Sequence, residues 1–286
     1  MSELYTGFKT FEVEEKIIND LYKNAKVEIW DKRHVFYPNM YVELKSTSNP
    51  KQTALGKVSK DAEFIERIQS GSAGGIQPRN REQVFALDAL MDDSIGVVVL
   101  TGTAGTGKTM LTLAAALQKL DEQVYNRVVL TRPMSQVTKY QLGALPGDVH
   151  EKFGPYLLNY MTNLEQFAGG KNAADYLMDQ GKIEAIPLQL IRGASFNNCL
   201  VIADEVQICN HHEMLTIGSR IGEGSKLVIM GDLNQRDEKI AKDKTGIYKM
   251  MNDIRMKESP LVSMVELQKC ERSAVARLFA TVFEET

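Results

Sequence analysis

The spacing of apolar side chains changes character near residue 75. Before that point it is short-ranged and mixed. Residues 10–26 carry Phe11, Val13, Ile17, Ile18, Leu21 and Tyr22 among charges, a spacing that predicts an amphipathic helix. Three short β-favouring runs follow, KVEIW, HVFYP and MYVEL, set apart by polar or charged residues. KSTSNPKQTALGK reads as a turn-rich connection, and KDAEFIERI reads as a helix. The glycine- and serine-rich stretch QSGSAGGIQP then predicts a linker. It divides a small mixed α+β domain, 1–75, from a main domain, 76–286.

In the main domain NREQVFALDALM predicts a helix, followed by an apolar run from Val97 to Leu100. Further apolar runs are RVVLT (127–131), IEAIP (183–187), CLVIA (199–203), KLVIM (226–230) and SMVEL (263–267), with helical patterns between several of them. Strands that are apolar throughout are buried on both faces. The expected fold class is therefore α/β, with a mostly parallel sheet sandwiched by helices.

Composition adds limits. With 43% hydrophobic and 25% charged residues the 286-residue chain has the make-up of a globular protein. A formal net charge of −3 provides no basic field, so any nucleic-acid contact has to be a local patch. Cys199, Cys209 and Cys270 are odd in number and scattered, which argues against a disulfide framework and for a reducing compartment. Cys209 with His211 and His212 falls short of the four ligands of a structural zinc site. No apolar run reaches membrane-spanning length, and the first residues lack the apolar core of a signal peptide, so a soluble cytoplasmic protein is expected.

The chemistry is concentrated in LTGTAGTGKTM. Gly102, Gly105, Gly107, Lys108 and Thr109 match G-x-x-x-x-G-K-[ST], placed between a strand and a helix. Across Gly102, Thr103, Ala104, Gly105, Thr106, Gly107, Lys108, Thr109 and Met110, backbone N–H groups and the helix start form an anion nest for a nucleoside triphosphate. Lys108 would reach the β- and γ-phosphates, and the Thr109 hydroxyl would join Mg²⁺ coordination. Asp204 and Glu205 end a buried strand, where Asp204 is expected to hold Mg²⁺ and Glu205 to orient or deprotonate the attacking water. Gln235, after KLVIMGD, is a candidate γ-phosphate sensor, and Arg272 in VELQKCERS a candidate for stabilising charge on the transferring phosphate. Gln83 could pair with the adenine edge through its amide.

Taken in order, GTAGTGKT, LTRP, LGALPGDVHEKFGPYL, IEAIPLQLIRG, VIADEVQ and GDLNQ resemble the motifs of PhoH-like ATPases. The resemblance runs from about Ile76 to the C-terminus. It implies a RecA-like P-loop NTPase fold related to the superfamily 1 helicases, with ATP and Mg²⁺ as cofactors. IQPRNREQ and FYPNMYVELKS resemble the lead-in of PhoH-like proteins that carry a nuclease domain, and no such domain is expected here. Two departures stand out: Val206 replaces the alanine of the family's DEAQ, and RGAS replaces RGRT, so Ala194 removes an arginine while Arg192 remains. LQKCERS is similar to the superfamily 1 L-x-x-x-x-R-S motif, which supports Arg272. Superfamily 1 helicases work between two RecA-like domains, and the chain ends soon after Arg272. The resemblance therefore implies a homo-oligomer, expected as a hexameric ring.

The first functional expectation is an ATPase coupled to RNA or another single-stranded nucleic acid, with strand unwinding as an extension, in a bacterial or phage-infected cytosol. Arg132 and Lys139, together with Phe153, Tyr156, Tyr160, Phe167 and Tyr176, are the candidate nucleic-acid contacts. The alternative is an ATP-driven switch whose partner is a protein. A small-molecule kinase fits less well, for want of an acceptor pocket and an arginine-rich lid.

Overall fold

The computed structural model describes residues 4–31, 33–133, 160–235 and 241–271, together with positions 275, 278 and 282. It is an α/β protein with two sheets. The first comprises β1 (Phe8–Val13), β2 (Lys26–Glu28), β3 (Tyr41–Ser46), β4 (Thr53–Val58) and β5 (Phe64–Arg67), in the order β1-β3-β4-β5-β2. β1 runs parallel to β3, and the other pairs are antiparallel. Helix α1 (Glu15–Asn24) buries Ile18 and Leu21 against this sheet's core.

Four local expectations are corrected here. The helix expected over 10–26 is a strand followed by a helix: Phe11 and Val13 face inward from β1, and α1 begins at Glu15. Two apolar positions with period 2 had merged with a genuine helical period beyond them. HVFYP is not a strand; Phe36 and Tyr37 pack against the core from a loop, with Phe36 stacked on Phe11 at 5.1 Å. The connection expected over 45–57 contains most of β4, whose Ala54 and Val58 are buried. The helix expected in KDAEFIERI is strand β5, centred on Ile65, which is fully buried.

The second sheet is all parallel, as expected. Its strands are β6 (Val97–Gly102), β7 (Arg127–Thr131), β8 (Ile183–Ala185), β9 (Cys199–Ala203), β10 (Lys226–Gly231) and β11 (Val262–Leu267), in the order β11-β6-β10-β9-β7-β8. Every residue of β9 and β10 is buried, which is what a strand covered on both faces requires.

The chain divides into two compact units, one of Met1–Ser72, Gln77–Lys108 and Met250–Thr286, the other of Ala73–Ile76 and Thr109–Lys249. In the first, the mixed sheet packs on helix α2 (Arg81–Met91): Tyr41 stacks on Phe85 at 4.7 Å and its hydroxyl donates to Asp88 at 2.8 Å. β6 and β11 pair from Val97 opposite Val262 to Gly102 opposite Leu267. In the second, helix α3 (Lys108–Asp121) buries Leu111 through Ala116. No helix among the described residues is long and apolar enough to cross a membrane.

Candidate nucleotide site

The glycine-rich loop begins where β6 ends. Gly102 has φ +138°, and a Cβ there would lie 2.1 Å from the Leu267 carbonyl oxygen, so the strand pairing leaves room for glycine alone. Gly105 and Gly107 also have positive φ, +82° and +98°, the backbone alternation from which anion nests are made. The Lys108 ammonium is folded back over the loop, donating to the carbonyls of Gly102 at 2.6 Å and Thr103 at 3.0 Å. The Thr106 hydroxyl donates to the Thr103 carbonyl at 3.0 Å.

The loop is also held from outside. Gln83, 1% exposed, donates from Nε2 to the Thr106 carbonyl at 3.0 Å and accepts the Arg79 N–H on Oε1 at 2.8 Å. Pairing this amide in bidentate fashion with a base would open both bonds, at about 1 kcal/mol each. In this structure Gln83 holds the loop. Beyond β11, the Glu271 N–H donates to the Gly105 carbonyl at 3.0 Å, while the Glu271 carboxylate accepts from Asn80 Nδ2 at 3.0 Å. That hydrogen bond, helped by Lys269, keeps the Glu271 carboxyl below its usual range.

The acidic pair leaves β9 with an abrupt change of backbone. Asp204 is 8% exposed. Burial raises its carboxyl above the usual range, and the neighbouring Glu205 charge adds to this; the nearby Tyr160 hydroxyl and the Arg132 guanidinium oppose it. Glu205 sits at φ +56°, a left-handed conformation that costs a non-glycine residue on the order of 1–3 kcal/mol and is characteristic of functional sites. Its side chain is fixed by Gln207, whose Nε2 donates to Oε2 at 2.6 Å, with Arg132 3.7 Å from Oε1. Gln207 is 2% exposed and its Oε1 accepts the Asp232 N–H at 3.2 Å, so one amide ties Glu205 to the end of β10. A Cβ on Gly231 would lie 2.9 Å from that Oε1, too close for a larger residue. Gln235 lies in the turn that follows, its N–H donating to the Asp232 carbonyl at 3.0 Å and its side chain exposed.

Arg272, Lys139, Phe153 and Tyr156 lie outside the described residues. Of the other candidate nucleic-acid contacts, Tyr160 is buried and presents no stacking face, Phe167 is half-buried, and Tyr176 is 63% exposed. Arg192 contacts His212 at 3.3 Å. Among the described residues no group of three or more His, Cys, Asp or Glu is placed to hold a metal. Sequence reasoning missed the bridging role of Gln207 and the Asn80–Glu271 pair. Asn80 has the signature of a helix N-cap, three residues before Gln83, but nothing in the sequence points to a partner 191 residues away.

The family model for PhoH-like protein matches residues 75–284. Protein PhoH2 of Bacillus subtilis (strain 168) is 35% identical over 286 residues, covering 97% of this chain and 64% of its own length. Protein PhoH of Escherichia coli (strain K12) is 30% identical over 271 residues, covering 83% of this chain and 74% of its own. The chain thus spans less than two thirds of the PhoH2 protein, 64%. Among solved structures, the Pif1 helicase from Candida albicans aligns with 72% of this chain and 43% of its own at 17% identity and a TM-score of 0.38. On the family match and these identities, the chain belongs to the PhoH-like family of P-loop proteins.

Proposed function

We propose that this chain hydrolyses ATP with Mg²⁺ and couples the turnover to RNA or another single-stranded nucleic acid, acting in the cytoplasm as a homo-oligomeric ring, hexameric in form, with residues 76–286 as the ATPase and 1–75 as an accessory domain. The observation that carries the reading is the loop Gly102–Lys108, whose positive-φ glycines and folded-back ammonium make a cradle for a polyphosphate. Its N–H groups bind phosphate oxygens, and Lys108 exchanges its two carbonyl contacts for the β- and γ-phosphates. Thr109 and Asp204 would hold Mg²⁺, which supplies charge neutralisation on the phosphate oxygens. The donor set suits it: a hydroxyl, and a buried carboxylate beside a second carboxylate, both hard oxygen donors. Glu205, held by Gln207, takes the proton of the attacking water. Gln235 senses the γ-phosphate, Arg272 stabilises its charge in flight, and Gln83 acts on the nucleotide through the loop.

The test is phosphate release by the full chain, with and without single-stranded RNA at low salt, where backbone contacts are strongest. Turnover is expected to rise with RNA. A parent protein with no turnover under any condition overturns the ATPase. Turnover that RNA leaves unmoved overturns the coupling and favours the protein-switch alternative.

A further inference from the structure

The loop is gripped at two successive carbonyls. Gln83 donates to the Thr106 carbonyl and the Glu271 N–H donates to the Gly105 carbonyl, each at 3.0 Å. The two donors belong to segments far apart in the chain, yet they are joined. Asn80 Nδ2 donates to Glu271 Oε1 at 3.0 Å, and Asn80 Oδ1 accepts the Gln83 N–H at 3.0 Å, capping α2. The hydrogen bonds thus close a circuit through Asn80, Gln83, Thr106, Gly105 and Glu271.

In a planar trans peptide the C=O and N–H point in opposite directions. The Gly105 carbonyl shares its peptide with the Thr106 N–H, and the Thr106 carbonyl shares its peptide with the Gly107 N–H. Donors fixed on both carbonyls therefore turn both N–H groups to the opposite side, the side left for a phosphate. Flanking glycines at positive φ would otherwise let these peptide planes flip at little cost.

We infer that the Asn80–Glu271 pair is a brace that presets two P-loop peptides for phosphate binding, a positioning device for nucleotide affinity. The inference rests on the ATP-binding reading of the loop and adds residues to it. Neither side chain touches the nucleotide in this scheme; each acts through the carbonyl its segment holds.

The donor and acceptor can be exchanged. Asn80→Asp keeps an oxygen to cap the Gln83 N–H, since Asn and Asp cap about equally well. It also sets a carboxylate against the Glu271 carboxylate. Glu271→Gln keeps an acceptor for Asn80. In the double variant N80D/E271Q the hydrogen bond re-forms with reversed polarity. The readout is the Kd of the full chain for N-methylanthraniloyl-ATP with Mg²⁺, beside kcat for ATP and the melting temperature.

N80D is expected to weaken binding about tenfold, the scale of one charged hydrogen bond lost, with kcat at saturation within about twofold. The double variant is expected to return to within about twofold of E271Q alone, the coupling a direct contact gives. Should N80D fail to fold, Glu271→Ala removes the acceptor without adding charge and is expected to weaken binding severalfold. N80D binding as tightly as the parent, a double variant as weak as N80D, or an E271A variant with parental affinity would overturn the brace. If the parent binds the analogue and Lys108→Ala abolishes binding, such a result removes the brace and leaves the ATP site standing. A folded parent that binds no analogue removes both.

Discussion

Glu205 combines three features: a left-handed backbone, a carboxylate held at 2.6 Å by a buried amide, and a neighbour whose carboxyl burial has destabilised in its charged form. Backbone strain of this kind persists only where the surrounding structure enforces it, and here the side chain on that backbone is held by Gln207, with Arg132 nearby. The roles separate experimentally. Glu205→Gln is expected to bind ATP as the parent does and to hydrolyse it slower by about 10²–10⁴, the usual weight of a general base. Gln207→Leu removes the donor to Glu205 and leaves the Asp232 N–H without its acceptor. It is expected to lower kcat by about tenfold with KM within about twofold, because orientation of the base matters in the transition state and little in binding. Steady-state phosphate release decides both, and a Gln207→Leu enzyme with parental kcat would mean that Glu205 is oriented by something else. The acidic pair was legible because it follows a buried strand in a chain that also carries the glycine-rich loop. The task of Gln207 was not, because the N–H donor that its amide oxygen accepts sits 25 residues on, just past the end of another strand.

Strands β7 and β9 begin and end where their expected runs do, because burial on both faces makes the interior of β7 and every position of β9 apolar. The first sheet was harder to read for the converse reason. Its strands are half-buried, so β4 alternates inside a stretch whose serines, asparagine and proline signal a turn, and β5 offers one fully buried residue, Ile65, among charges. Its attachment to α2 was also invisible, since besides the Tyr41 contacts it includes Lys57 of β4 meeting Asp88 and Asp92, each at 2.8 Å, with 12% of the Lys57 side chain exposed. Burial raises the Asp92 carboxyl, but the hydrogen bonds from Lys57 and Ser94 and the Lys57 charge overcome this and bring it from 3.8 to about 2. A carboxyl depressed in the folded state stabilises it above the unfolded pKa, and that stability is lost as pH falls through the folded value. The window here is from near pH 4 down to about 2. Lys57→Met leaves two carboxylates without their shared cation and is expected to cost about 1–3 kcal/mol at pH 7, less than a fully buried pair because both acids are partly solvated. The deficit should shrink through that window as Asp92 protonates. Urea unfolding at pH 7 and pH 3 checks it, and a deficit independent of pH would show that Lys57 acts by packing alone.

The whole chain carries 34 basic and 37 acidic side chains, so a nucleic-acid strand finds no general attraction to it, and the contact proposed for each subunit would be a local patch. That shortage makes assembly measurable in binding. For a single strand, log K falls with log[salt] by about 0.7 for each phosphate neutralised, so a patch of three or four cations gives a slope near −2 to −3. Identical subunits arranged in a closed ring would lay the same patch along one strand several times over, multiplying both the slope and the affinity. With ATP and Mg²⁺ present, light scattering is expected to give a multimer, six times the chain mass for the hexameric ring proposed. RNA binding should show a slope steeper than about −3 at protein concentrations where the multimer forms, relaxing toward the single-patch value on dilution below it. A monodisperse monomer under these conditions would sink the ring. A multimer that keeps the shallow slope at every concentration would place the strand on one subunit and separate assembly from nucleic-acid engagement.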